Sequence, residues 1–240
     1  MFGWKTKRPG ESPAMVESIA ALDGLLITGH SGLLAGTCIA STLGWKPVEM
    51  LRVGDKVLTF DNAMQPIADI QRESLVVPDT GLPPRYRPMR VPEGALYNRR
   101  DIWLMPDQGM LIECEAALDT CGDPYAVVPA RCLRGFRGIA AGIPPGTFEV
   151  TTLAFRQDEV IYVEGGLLAY CPQPRQLLED FGSGRGQVYD TLVGPAAQFL
   201  VNCLIDDDDG DALGGNPADV PGLPRGPIRP GRPMAPNPFG

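Results

Sequence analysis

The chain has 240 residues, room for one medium domain or two small ones at about 100–200 residues per domain. Charged residues make up 21% and hydrophobic ones 44%, an ordinary globular mix that can bury a core. The net charge of −8, with no clustered basic face, argues against nucleic-acid binding by phosphate neutralisation. Glycine (29) and proline (25) together exceed a fifth of the chain, so it turns often and favours short strands over long helices. The single histidine, His30, argues against a histidine-rich metal centre and leaves one candidate for any imidazole-based chemistry. The six cysteines, at 38, 114, 121, 132, 171 and 203, lack the two-residue spacing of a zinc knuckle or redox motif, so reduced thiols are expected.

Residues 1–30 read as an arm and a short helix. Met1–Gly10 carries basic residues with no apolar run behind them, which is not the pattern of a signal peptide. Ser12 can cap a helix that opens on Pro13, places Met15, Ile19 and Leu22 on one face, and ends at Gly24. From Gly24 to Trp45 there is no charged residue, but five glycines and several Ser/Thr interruptions break the apolar surface. The stretch predicts buried strands and turns, with no membrane span.

Residues 31–172 read as an all-β domain of short strands. Lys56–Phe60, Ile102–Met105, Met110–Ile112, Tyr125–Val128 and Val160–Val163 carry β-branched or aromatic residues, separated by Asn, Asp, Gly and Pro. Gly54-Asp55 predicts a turn feeding a strand, with Met50, Val53, Val57 and Leu58 packed inward and Arg52 and Lys56 wet. Residues 173–205 change character: Pro174–Phe181 and Gln187–Leu204 each predict a short helix. From Asp206 to residue 240 the acidic run DDDDGD and a proline every two or three residues predict a disordered tail. On that reading, deleting 207–240 leaves the core's stability nearly unchanged.

Two motifs lead nowhere. The acidic run Asp206–Asp211 misplaces its glycine for a calcium loop and lacks the closing Glu, so it reads as a solvated charge run. Gly182-Ser183-Gly184-Arg185-Gly186 lacks the Lys-Ser/Thr that grips phosphate, so it reads as a flexible turn.

The segment GTCIASTLGWKPVEMLRVGDKVLTFDN, with Gly36-Thr37, Gly44, Val48-Glu49, Leu51 and Gly54-Asp55, resembles the opening of the Hint (Hedgehog/intein) family, in its bacterial type 2 subgroup. Three later blocks follow in order: Arg100–Gln108, Val128–Leu133 and Asp158–Gly165. The resemblance implies a horseshoe-like fold of short strands, with short flanking helices.

The family's self-cleavage needs a Cys or Ser that attacks the preceding carbonyl, and a His, usually with a Thr or Ser, that polarises that peptide. The resemblance places the nucleophile at position 32, where this chain has Gly32. It places the His of the second block at Gln108 and its Ser/Thr at Met105. It places two further histidines at Thr152 and Asp158. Glycine carries no nucleophile and a glutamine does not titrate. Cys38 lies six residues late, inside the first strand, and reads as a buried, inert thiol. His30 reads as a loop or surface histidine.

The expectation is a catalytically inactive Hint-like domain, with no cofactor or metal, acting as a structural or protein-interaction module in a larger assembly. Family context suits a component of a phage-like or gene transfer agent particle, cytoplasmic or particle-associated. Two alternatives stay open: residual self-processing through Cys38 or His30, and an accessory domain of an exported bacterial protein.

Overall fold

The computed structural model describes residues 31–77, 81–173 and 189–214. The helix expected at Pro13–Gly24, His30, the Pro174–Phe181 helix, the 182–186 turn and the proline-rich stretch past 214 lie outside them.

Fourteen short strands form two sheets among the described residues. In chain order they are β1 (Leu33–Leu34), β2 (Cys38–Ser41), β3 (Gly44–Pro47), β4 (Lys56–Thr59), β5 (Ala63–Pro66), β6 (Asp69–Leu75) and β7 (Met89–Val91). Then come β8 (Ile102–Leu104), β9 (Gly109–Glu113), helix α1 (Glu115–Cys121), β10 (Tyr125–Pro129), β11 (Ala140–Ala141), β12 (Phe148–Ala154), β13 (Glu159–Val163), β14 (Leu167–Cys171) and helix α2 (Gly194–Asp207). All five segments read as strands from their β-branched and aromatic content are strands, so the fold is all-β as expected.

One sheet runs β11-β7-β8-β1-β12-β6, and the other runs β10-β9-β14-β13-β2-β4-β5, with β3 paired to β2. Its strands β10, β13 and β14 are buried at every position. Their near-continuous apolar runs fit strands covered on both faces. On one side lies the main core, with Ile39, Val57, Ile161 and Val163 fully buried. On the other lies an aromatic cluster in which Phe60 meets Tyr125 edge-on at 5.4 Å between ring centres.

The Gly54-Asp55 turn forms as its residue types require. Gly54 takes φ +88°, and Asp55 Oδ2 accepts the Arg52 N–H at 3.0 Å. A Lys46 ammonium 2.7 Å away holds the Asp55 carboxyl below its ordinary range. The inward set differs from the expected one. Met50 and Val53 are each 60% exposed, while Val48 and Leu51 are buried. The reason is local: Val48–Met50 is a 3₁₀ turn that turns Val48 inward and Met50 out, and Val53 lies in the Gly54 turn.

The C-terminal region departs further. The helix read at Gln187–Leu204 is α2, which opens on Gly194-Pro195 only after an extended entry. In that entry Asp190 and Leu192 pair with the backbone of Val127 on the free edge of β10, at 2.9 and 2.8 Å. Ala197, Leu200, Val201 and Leu204 bury into the main core. The acidic run does not begin a tail. Asp206 and Asp207 end α2, Asp208 caps it, and the chain turns so that Ala212 (3% exposed) and Leu213 (0%) pack into the same core. Composition hid this, because one alanine and one leucine amid aspartates look too few to order a segment.

The expected effect of truncation is therefore reversed. Deleting 207–240 exposes the seat of Ala212 and Leu213 and should lower the melting temperature by several degrees. Leu213→Ala in the full chain should cost about 2–4 kcal/mol in urea unfolding, as for other buried leucines.

Candidate functional site

The peptide joining Ser31 to Gly32 sits where the second sheet meets the first. Gly32 immediately precedes β1, whose Leu33 pairs with Thr151 of β12 and Leu104 of β8. The Gly32 carbonyl accepts the Met105 N–H at 3.0 Å. The Gly32 N–H donates to Gln108 Oε1 at 3.0 Å, and Thr152 Oγ1 donates to the Ser31 carbonyl at 3.4 Å. Both ends of this peptide are thus held by side chains, one on each of its polar groups.

Gln108 is 4% exposed and fully committed. Its Oε1 also accepts from Ser31 Oγ at 3.3 Å, and its Nε2 donates to the carbonyls of Gly109 at 3.0 Å and Tyr170 at 2.9 Å. A carboxamide has two N–H donors and an oxygen with two lone pairs, and all are used. A neutral imidazole offers one donor and one acceptor and could not serve these four partners. The turn that carries Gln108 is itself fixed: its N–H reaches the Met105 carbonyl, and Ala130 N–H reaches the Gln108 carbonyl.

Gly32 has φ +134°, a conformation side chains rarely adopt. A Cβ built there would lie 2.6 Å from Val150 Cγ1 and 3.1 Å from Thr152 Oγ1. The position therefore lacks a nucleophile and also lacks space for one without movement of β12. Met105 is fully buried in a satellite core with Leu34, Phe148 and Val150. Asp158 sits apart, its Oδ1 accepting the Gln173 N–H at 2.8 Å. Of the positions singled out in the sequence, the fold brings together Gly32, Gln108 and Thr152. It assigns Met105 to packing and Asp158 to a turn.

The cleft at this point is small, about 10 Å³, which is the room of one water. Its lining includes three residues that the sequence gave no reason to select: Thr151, Tyr170 and Cys171. Thr151 Oγ1 is buried with no hydrogen-bond partner. Cys171 is the only cysteine among the lining residues. Burial, reinforced by the Glu159 charge, pushes its pKa up to about 12, so it stays protonated and unreactive at neutral pH.

Cys38 is not the buried core thiol expected. It is half-buried, with Arg100 Nη2 at 2.9 Å from its sulfur, and Arg100 Nε is 3.2 Å from Glu164 Oε2. Burial raises the Cys38 pKa; Arg100 opposes this and Glu164 adds to it. Its side-chain partners are Gly36, Arg100 and Glu164, whereas the Ser31–Gly32 peptide is hydrogen-bonded by Gln108 and Thr152. Among the described residues no group of His, Cys, Asp and Glu could hold a metal ion, and no helix is long and apolar enough to cross a membrane.

A family profile described as the Hint domain matches residues 31–169. The chain belongs to the Hint domain family. Three solved structures resemble this Hint domain. The bacterial intein-like domain from Clostridium thermocellum is 12% identical, with 59% of this chain and 98% of that one covered and a TM-score of 0.43. The AceL NrdHF class 3 split intein, a splice-inactive variant, is 16% identical, with 60% and 99% covered and a TM-score of 0.40. The gp41-1 intein is 9% identical, with 59% and 98% covered and a TM-score of 0.35. A search of curated sequences finds no match. The Hint match ends at 169, so the segment from Tyr189 to Gly214 is packed onto the Hint domain from outside the matched region.

Two outcomes follow from this geometry. Gln108→Ala leaves a buried N–H and two carbonyls unpaired and should cost about 2–3 kcal/mol in chemical denaturation, at the upper end for a lost buried partner. Cys171 should resist Ellman's reagent at pH 8 in the native chain and react only after unfolding.

Proposed function

We propose that this Hint domain has given up self-processing and serves as a folded protein-interaction module within a larger assembly. The observation that carries the reading is the pairing of Gly32 with Gln108. Where a nucleophile would stand, a glycine at φ +134° is packed against Val150. Where a polarising imidazole would stand, a saturated carboxamide ties strands together. Attack on the Ser31 carbonyl needs a thiolate or alkoxide beside it. The one cysteine lining the cleft, Cys171, is held protonated.

An interaction role draws support from the β2–β3 hairpin and the turn after it. Leu43 (89% exposed), Trp45, Met50 and Val53 all face solvent within eleven residues. Exposed apolar side chains this close together in the chain are available for contact with a protein partner. A place in a particle of the phage-like or gene transfer agent kind rests on family context, and co-sedimentation with such particles tests that assignment.

The decisive experiment is intact mass spectrometry of the purified chain after incubation with dithiothreitol or hydroxylamine, which intercept thioesters and esters. The full-length mass should persist, and Cys38→Ala should behave like the parent. Gly32→Cys should also stay uncleaved, alone or with Gln108→His and Met105→Thr, because the added Cβ meets Val150. Cleavage at residue 31 or 32 in the unmodified chain would establish a working processing site and overturn this reading.

A further inference from the structure

Two faces of the domain present exposed apolar side chains, and their charges are opposite. The first is the β2–β3 hairpin together with the turn that leads into β4, where Leu43, Met50 and Val53 face solvent. These two segments lie side by side: Thr42 N–H donates to the Lys56 carbonyl at 3.2 Å, and Lys46 Nζ donates to Asp55 Oδ2 at 2.7 Å. The acidic groups of this face are engaged within the body, Asp55 by Lys46 and Glu49 by the Gly36 N–H at 2.8 Å. Arg52 and Lys56, both exposed, are the charges it turns outward.

The second is the outer side of α2. The inner side of that helix is committed to the core through Ala197, Leu200, Val201 and Leu204. On the outer side Phe199 is 57% exposed and Ile205 37%. Helix α1, which packs beside α2, adds Leu118 at 52%. The charge here is negative. Asp206 and Asp207 follow Ile205 directly and are exposed, and no Lys or Arg lies between Gly194 and Gly214 in the chain. Arg137 meets Asp208, one residue further on.

The two faces sit at opposite ends of the second sheet. The chain entering α2 pairs with the outer edge of β10, the first strand in the order β10-β9-β14-β13-β2-β4-β5, while the hairpin face is built on β2, β3 and β4 toward the other end. Hairpin against hairpin would gather Arg52 and Lys56 with their own copies, and α2 against α2 would gather the aspartates. Like charges brought together oppose both arrangements, whereas hairpin against α2 joins unlike charges.

We propose that copies of this domain associate head to tail, the hairpin face of one seated on the outer face of α2 in the next. Leu43, Met50 and Val53 then meet Phe199, Ile205 and Leu118 at the centre. Arg52 and Lys56 meet Asp206 and Asp207 at the rim, so that apolar contact lies inside and charge outside. Because the faces are at opposite ends, each copy uses both at once, and the repeat grows as a ring or an open chain. The inference rests on the interaction role proposed above and names a second copy as the partner.

Sedimentation velocity of the full chain, over a concentration series from low micromolar to near millimolar, tests it. The average mass should rise with concentration, and less steeply at high salt. Arg52→Glu with Lys56→Glu, and separately Asp206→Lys with Asp207→Lys, should each weaken association at least about tenfold, because like charges then face each other. All four side chains are exposed, and lysine suits the C-terminal end of a helix, so both variants should keep the parent's melting temperature. An equimolar mixture of the two variants should associate within about threefold of the parent, since each reversed face finds its complement in the other chain. A parent that stays monomeric at every concentration would overturn the proposal. So would association that survives either reversal, or a mixture of the variants that stays monomeric. The reading on which the inference rests fails by a different result, cleavage at residue 31 or 32 in the mass spectrum.

Discussion

The side-chain amide of Gln108 joins the two sheets, and much of the site's geometry depends on it. Its oxygen grips the chain entering β1, at one sheet, through Gly32 N–H. Its nitrogen grips the carbonyls of Gly109 and Tyr170 in the β9 and β14 region of the other. In a chain whose β1 has only two residues, the ladder alone cannot fix where that strand begins. A buried, fully paired carboxamide can, because each of its four bonds has a required direction and each orphaned partner would cost desolvation. The same saturation explains why the cleft beside it is small: atoms that could face a reacting group face backbone.

A second dependence follows at Gly32. The entering chain passes so close to β12 that no side chain fits, and the flush approach lets Thr152 reach the Ser31 carbonyl. Close packing and the absence of a side chain at position 32 are here one structural fact. The peptide is still held at its N–H and its C=O, a geometry that would serve catalysis if a reactive atom stood beside it. The same bonds fix the start of the first strand.

The C-terminal addition has a comparable role at the far side of the core. Tyr189 meets Tyr170 edge-on at 6.2 Å, Asp190 and Leu192 cover the open edge of β10, and α2 lays four apolar residues on the main core. An uncovered edge strand invites pairing with other chains, and this one is covered by the chain itself. The Hint-matched residues alone would leave that edge and that apolar surface open.

By itself the sequence determined the all-β class, the five strongest strands, the Gly54-Asp55 turn and the family. These rest on local signals: β-branched runs, turn residues and block order. Block order also singled out Gly32 and Gln108, which the structure brings within hydrogen-bond distance of each other. Only the tertiary structure decided that Gln108 is a four-way tie, that Cys171 lines the cleft, that Cys38 meets Arg100, and that Ala212 and Leu213 are core. Ser31, Gln108, Thr152 and Cys171 are far apart in sequence, and no periodicity links them. Met50 and Val53 point outward because a 3₁₀ turn and the Gly54 turn carry them, and Leu213 packs into the core of a segment whose aspartates meet Arg137 and Tyr97, remote along the chain. Such contacts depend on which surfaces meet after folding, and that is information a pattern along the chain does not carry.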